Sequence, residues 1–167
     1  MGNITAGLSR MIITPLKNGA FKVETPDWQI QIFRGLAEEL KTVLSDGNNS
    51  LTTRLFPVAY QSDKAANEEY KKLTHEDLLQ SHLASLKLIE EISTDKEVSE
   101  HTLIKIMQGI NILRLVVGTR LKIDEEEPEN SPQASKDHPD HNLWLIFHLL
   151  GEILSIIIDS INHSIPY

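Results

Sequence analysis

The 167-residue sequence contains no cysteine. Disulfide bonds, thiolate metal ligands and thiol redox switches are therefore excluded in any compartment. Aromatic residues make up only 5% of the chain, so a hydrophobic core has to be built mainly from leucine, isoleucine and valine. At this length the chain predicts a single domain, residues 1–167, with room for a core of that kind.

Basic residues are also scarce: 16 lysines and arginines stand against 24 aspartates and glutamates, a formal net charge of −8. They form no cluster of the kind that autonomous binding to nucleic acid or to an anionic membrane requires, so we expect neither. Negative charge suits the basic surface of a protein partner better. The sequence also lacks the apolar run of a secretory signal, and no segment reaches the ~18 uncharged apolar residues of a membrane span. These absences predict a cytoplasmic protein.

Catalytic and nucleotide-binding motifs are missing as well. The serines have no G-x-S-x-G context, and the chain has no glycine-rich phosphate loop. Glu76 and Asp77 are adjacent carboxylates, but they fall at a predicted helix start, where the helix dipole explains them. The sequence therefore predicts no catalytic residue and no cofactor, and it disfavours an enzyme.

Histidine and carboxylate spacing gives the candidate metal ligands. His138 and His141 flank Asp140, and His148 with Glu152 forms an i, i+4 pair. A helical H-E-x-x-H motif would supply two ligands and a base together, and neither group matches it. We interpret these side chains as ordinary polar residues and predict no metal site. A metal-dependent enzyme that uses the His/Glu stripe of the last helix is an alternative.

Helical periodicity is what the sequence has in abundance. Apolar residues recur every three or four positions over 99–123 and predict a central helix that is covered on more than one side. Gly109 and Gly118 lie inside it, which predicts close approach of a neighbouring helix. Further helical segments are predicted at 25–47, at 50–56 as one or two turns, at 62–93 with a break or kink at 74–77, and at 141–163.

Three segments depart from this helical pattern. Asn18-Gly19 predicts a hairpin over 11–24 with a two-residue type I′ turn, and Pro15 confines its strand to an edge. Residues 1–10 are predicted to be disordered, and 124–140, with three prolines and excess carboxylates, to be a mobile acidic loop. The predicted fold class is all-α: a bundle of about five helices formed by 25–123 and 141–165, preceded by a short N-terminal β-hairpin.

Arg114 and Arg120 stand among the aliphatic residues of the central helix, where each needs a partner or a route to water. Because they are six residues apart on a helix, they do not share a face and should have different partners. Asp77 and Glu152 are the candidate partners of Arg114. We predict a structural ion pair that specifies how the helices dock, with contact to another protein as the alternative.

The last helix is apolar on most sides, apart from a narrow polar stripe. That stripe consists of His141, His148, Glu152, Ser155, Asp159 and His163. Its apolar residues cover more arc than one neighbouring helix can bury, which predicts a homodimer that shares this helix. A monomeric bundle that encloses the helix is the alternative.

Three stretches carry a resemblance to a known family: LFPVAYQSDKAANEEYKKLTHEDL (55–78), NILRLVVGTRLKI (111–123) and LWLIFHLLGEIL (143–154). Over about residues 25–160 the chain resembles an actinobacterial family of unknown function, some members of which are named amino-acid oxidative-stress regulators. The L-R-L-x-x-G-T-R-L core is the most specific match. The resemblance implies a small helical protein, commonly encoded near a Clp-protease adaptor gene, with a role in transcription through contact with a sigma factor.

The chain departs from the redox part of that family picture because a sequence without cysteine cannot form an intramolecular disulfide switch. The resemblance brings no catalytic residues. Our hypothesis is a cytoplasmic, non-enzymatic interaction protein, a transcription-associated stress regulator that binds a protein partner. An adaptor in Clp-type proteolysis and the metal-dependent enzyme are the alternatives.

Overall fold

A computed structural model describes residues 9–45, 55, 64–122 and 132–164 of the chain. Within these ranges the fold is mostly helical, with a small antiparallel sheet. The helices are α1 (Asp27–Ser45), α2 (Lys64–Glu90), α3 (Glu100–Leu121) and α4 (His141–His163), and the strands are β1 (Ile12–Pro15), β2 (Phe21–Glu24) and β3 (Asp95–Val98). The expected all-α class is thus corrected to a helical fold with a three-stranded sheet in the order β1-β2-β3.

The N-terminal hairpin is confirmed, but its turn differs from the prediction. A type I′ turn needs positive φ at both central residues, whereas here Gly19 has φ +82° and Asn18 does not. The Gly19 N–H donates to the Leu16 carbonyl, and the Leu16 N–H donates to the Ala20 carbonyl. The loop therefore has three residues and ends in a left-handed glycine. Pro15 lies on an edge strand, as expected.

The third strand, β3, was not predicted. Its sequence Asp95-Lys96-Glu97-Val98 is short and charged, with no β pattern to mark it. It exists because β2 offers a free edge: Phe21 lies opposite Val98, and Glu24 lies opposite Asp95. The Thr25 N–H extends this pairing by donating to the Thr94 carbonyl.

Helix α2 runs without interruption through residues 74–77, so the predicted break is not found. Glu76, instead of beginning a new helix, accepts a hydrogen bond from the Gln80 side chain one turn later. Packing along both α1 and α3 outweighs the local capping signal. Arg34 of α1 then closes the last turn, donating to the main-chain carbonyls of Glu90 and Ile92 at 3.0 and 3.1 Å. The described residues therefore contain four helices where about five were expected.

Helix α3 is the centre of the fold, as its periodicity predicts. Ser99 caps its first turn by accepting the Thr102 N–H, and Lys122 ends it in the left-handed region with φ 53°. It contacts α2, α4 and α1. Its buried residues are Leu103, Ile106, Gly109, Ile110, Ile112, Leu113, Val116, Val117 and Leu121. A Cβ on Gly109 would lie 2.8 Å from Ile89 Cγ1 of α2, which confirms the predicted close helix approach.

The described part of the segment before α4, residues 132–140, contains local structure. Pro132–Ala134 forms a 3₁₀ turn, and the Gln133 amide donates to the Leu121 carbonyl at 2.7 Å. That carbonyl is one of the unpaired groups at the end of α3, so the contact anchors residues 132–140. At the other end of the chain, Ser9 accepts the Trp28 indole N–H. The predictions for residues 1–8, 46–54, 56–63 and 123–131 lie outside the described residues.

Helix α4 has the predicted bounds and packs mainly against α3, with a flank against β1. Both α3 and α4 are long and apolar enough to cross a membrane by length and composition alone, a test that buried core helices also pass. Half of the most apolar window of α3 is buried within the fold, but only 22% of the corresponding window of α4 is. Most apolar residues of the last helix are therefore only partly buried, and Ile158 is 45% exposed.

Candidate interaction surfaces

The contact between α3 and α4 is built around Arg114 and Phe147. The Arg114 guanidinium carbon lies 4.3 Å from the centroid of the Phe147 ring, in cation–π geometry. The Arg114 side chain is half-buried, and its Nε is buried with no hydrogen-bond partner among the described residues. The group that meets the Arg114 guanidinium is therefore an aromatic ring and not the expected carboxylate.

Two glycines make room for this contact, one on each helix. A Cβ on Gly118 of α3 would lie 3.0 Å from the Phe147 ring, and one on Gly151 of α4 would lie 3.2 Å from Arg114 Nε. Each helix thus places a large side chain against a glycine of the other helix. This reciprocal packing, formed by Arg114, Gly118, Phe147 and Gly151, is called the α3–α4 clasp below.

The predicted partners of Arg114 lie elsewhere. Glu152 pairs with Arg10, which precedes β1, and both side chains remain about half exposed to solvent. Asp77 is exposed on α2 and forms no ion pair with another described residue. The expected pairing of Arg114 with either acid is therefore not found among the described residues. Helical spacing could not reveal that Glu152 faces the N-terminal segment.

Arg120 does form an ion pair between helices. Its Nη2 lies 2.5 Å from Oε1 of Glu39 on α1, and the two side chains are 39% and 51% exposed. The two arginines of α3 therefore have different partners, as their spacing predicts. An apolar groove between α1 and α3, lined by Leu40, Val43 and Val117 among others, runs beneath this pair.

The exposure of the Arg120–Glu39 pair predicts a small energetic role. In a double-mutant cycle with Arg120→Met and Glu39→Gln, we expect a coupling free energy of about 0.2–1 kcal/mol at low salt, falling as salt is added. Urea unfolding of the four proteins measures it. A coupling several times larger and independent of salt would show that this pair holds α1 against α3.

A row of rings extends from the α3–α4 clasp along α4. His141 stacks on Trp144 with centroids 5.6 Å apart, and Trp144 lies 4.1 Å from His148. His148 meets the edge of Phe147 at 5.7 Å, and Phe147 carries Arg114 on its face. The candidate metal-binding histidines of this helix are thus part of an aromatic row.

Other candidate metal ligands are engaged in local hydrogen bonds. His138 Nδ1 accepts the Asp140 N–H at 3.0 Å, and His141 Nδ1 lies 3.1 Å from the Gln133 carbonyl. Over residues 9–45, 64–122 and 132–164, no three histidine, aspartate or glutamate side chains are grouped closely enough to hold a metal ion.

The outer face of the sheet, which points away from the helices, is a second distinctive surface. Phe21, Val23 and Val98 point into the core, so the alternate residues form the outer face. These are Ile12, Thr14, Lys22, Glu24, Asp95 and Glu97. Sequence analysis missed this face because two of its three carboxylates, Asp95 and Glu97, come from the unpredicted strand β3.

Carboxylates dominate the outer sheet face. Lys22 Nζ lies 3.5 Å from Glu24 and 3.8 Å from Asp95, so the one cation of this face is shared between two acids. Glu97 receives a hydrogen bond from the Asn18 side chain at 3.2 Å. Ile12 is 58% exposed and lies in the same cross-strand row as Glu24 and Asp95. The face thus combines excess negative charge with one exposed apolar side chain.

Comparison with known proteins identifies the family. Residues 13–161 match the family described as Domain of unknown function (DUF2017). The chain belongs to the DUF2017 family. No curated protein and no solved structure matches the chain at a significant level.

In this DUF2017 chain, two of the stretches that carry the family resemblance pack against each other. Residues 111–123 provide Arg114 and Gly118, and residues 143–154 provide Phe147 and Gly151, so they meet in the α3–α4 clasp. Helix docking thus accounts for these four residues. The Arg-x₃-Gly and Phe-x₃-Gly spacings, each one helical turn, were the available sequence signal for this contact.

Proposed function

We propose that this chain is a cytoplasmic, non-enzymatic interaction protein, a transcription-associated stress regulator that binds a basic surface of a protein partner. The outer sheet face is the observation that carries the proposal. A sigma factor is the partner implied by the resemblance of the helical stretches to oxidative-stress regulators. The absence of cysteine restricts the proposal to binding, without a disulfide switch in this chain.

The chemistry of the outer sheet face favours a protein partner over nucleic acid. This face carries three carboxylates and one lysine, and the chain as a whole has a net charge of −8, so phosphate groups would be repelled. Lysine or arginine side chains of a partner would gain complementary charge. Ile12, which is exposed beside these acids, offers an apolar side chain of the kind that forms the core of many protein–protein interfaces.

Charge reversal on β3 tests this surface. We expect the double variant Asp95→Lys, Glu97→Lys to bind purified sigma factors of the native host about tenfold more weakly, or about 1.4 kcal/mol, than the unchanged chain. Isothermal titration calorimetry measures the affinity. The same experiment with duplex DNA in place of the sigma factor should show no sequence-specific binding at physiological salt.

A matched control separates the effect of charge on the outer sheet face from the effect of the protein's net charge. Glu76→Lys, Asp77→Lys makes the same change in net charge on an exposed part of α2, about 20 Å along that helix from its sheet end. We expect this control to keep most of the affinity. The proposed surface would be refuted if both double variants weakened binding equally, or if neither changed it. The proposed partner would be refuted if the unchanged chain bound no sigma factor.

A further inference from the structure

The side of α4 away from the core carries a strip of residues that point in one direction. His141, Leu145, Glu152, Ile156 and Asp159 are spaced by three, four or seven residues, so they share one helix face. All five are half-buried or exposed. Leu145 and Ile156 lie outside the hydrophobic core cluster, although α4 supplies much of that cluster from its other face. These five residues are called the outer strip of α4.

The outer strip has a symmetry that suits a second copy of itself. Leu145 and Ile156 are equidistant from the peptide bond that follows Leu150, and His141 and Asp159 are equidistant from Leu150. In an antiparallel pair, Leu145 of each copy would therefore lie opposite Ile156 of the other, and His141 opposite Asp159. Both pairings place the two-fold axis near Leu150. A parallel copy would instead place each Asp159 beside another.

Charge along the strip also favours antiparallel pairing. Asp159 lies near the negative C-terminal end of α4, whereas His141 begins the helix at its positive end. His141 Nδ1 contacts the Gln133 carbonyl and therefore donates, so Nε2 is the ring nitrogen left to contact a carboxylate of the second copy. At the centre, Glu152 is neutralised by Arg10 of its own chain, which limits repulsion between two copies.

We propose that a second copy of this chain packs antiparallel on the outer strip of α4, about a two-fold axis near Leu150. Leu145 then contacts the partner's Ile156, and His141 lies beside the partner's Asp159, each contact occurring twice. The resulting isologous interface covers Leu145 and Ile156, the half-buried apolar residues of this strip that lie outside the core cluster. This dimer does not use the outer sheet face and is independent of the function proposed above.

Sedimentation velocity over a range of micromolar concentrations tests the dimer. The unchanged chain should sediment as a dimer, and Ile156→Glu should be monomeric at concentrations where the unchanged chain is dimeric. Ile158→Glu is the matched control, because Ile158 is 45% exposed on the same helix but lies about 160° around it from Ile156. It should remain dimeric.

Mixing two variants keeps the test independent of folding defects. Leu145→Lys and Ile156→Glu should each be monomeric, whereas an equimolar mixture should form a heterodimer, with a lysine opposite a glutamate at one contact and the native pair at the other. A monomeric unchanged chain, equal disruption by the two glutamate variants, or no recovery on mixing would overturn the proposal. The β3 charge-reversal variant should stay dimeric, so failure of the partner proposal would leave this result unchanged.

Discussion

Gly109→Val is expected to lower the free energy of unfolding by about 3 kcal/mol, at the upper end of the usual effect of overpacking a core. A Cβ at this position would lie 2.8 Å from Ile89 Cγ1 and 3.0 Å from the main-chain oxygen of Ser85. Side-chain rotation can relieve the first contact, but the second involves helix backbone. The variant therefore has to push α2 and α3 apart, and urea unfolding followed by circular dichroism measures the loss.

Gly35→Val is the control for the loss of a helix glycine. Among the described residues nothing lies within 4 Å of a Cβ built on Gly35, which is also in a helix interior. Valine is a better helix former than glycine by a few tenths of a kcal/mol, so this variant should be as stable as the unchanged chain or slightly more stable. Similar stability of the two valine variants would contradict the close approach of α2 and α3.

Phe147→Ala is expected to cost about 3–5 kcal/mol, as is usual for truncating a buried phenylalanine. The Phe147 side chain is 6% exposed and fills the space left by Gly118. Its removal creates a cavity between α3 and α4 and also takes away the ring on which Arg114 rests. Thermal and urea unfolding report the combined loss.

A second variant separates the contribution of the aromatic ring to stability from that of the apolar volume. Phe147→Leu keeps most of the apolar volume and loses the cation–π contact, so it should cost about 1–2 kcal/mol. In a double-mutant cycle, Phe147→Leu and Arg114→Met should show favourable coupling of about 0.5–2 kcal/mol. If Phe147→Leu were as damaging as Phe147→Ala, or if the coupling vanished, the contact with Arg114 would not stabilise the α3–α4 clasp.

The long helices could be predicted because local sequence determines them. Helix α4 has the bounds expected from its apolar run, and α3 (Glu100–Leu121) lies within the predicted range 99–123. The place of Gly109 in a close helix contact also follows from the cost of glycine in a helix interior. In each case the signal lies within a few turns of the chain.

What could not be predicted depends on distant partners. Strand β3 exists because β2 offers an edge, and its own residues carry no β pattern. Arg114 was assigned a carboxylate because buried guanidinium groups usually need one, yet the residue that meets it is Phe147. Glu152 instead forms an ion pair with Arg10, which is 142 residues distant in sequence. Periodicity identifies the face of a helix but not the element that covers it.

These contacts assign the distinctive residues of α3 and α4 to helix docking. The α3–α4 clasp accounts for an arginine, a phenylalanine and two glycines that would otherwise be candidates for chemistry. The outer sheet face and the outer strip of α4 are the described surfaces whose composition the fold itself does not explain. The two proposals, partner binding and self-association, therefore concern different sides of the protein.

Helix α3 is the element against which the other described helices pack, and native-state hydrogen exchange tests this arrangement most directly. Amides of Leu103 to Val117 should exchange slowest, with protection equal to the global free energy of unfolding, because α3 contacts every other helix. The C-terminal turns of α4 should open at lower free energy in the monomeric Ile156→Glu variant. Slowest exchange in α1 or α4, with α3 opening before global unfolding, would contradict this account.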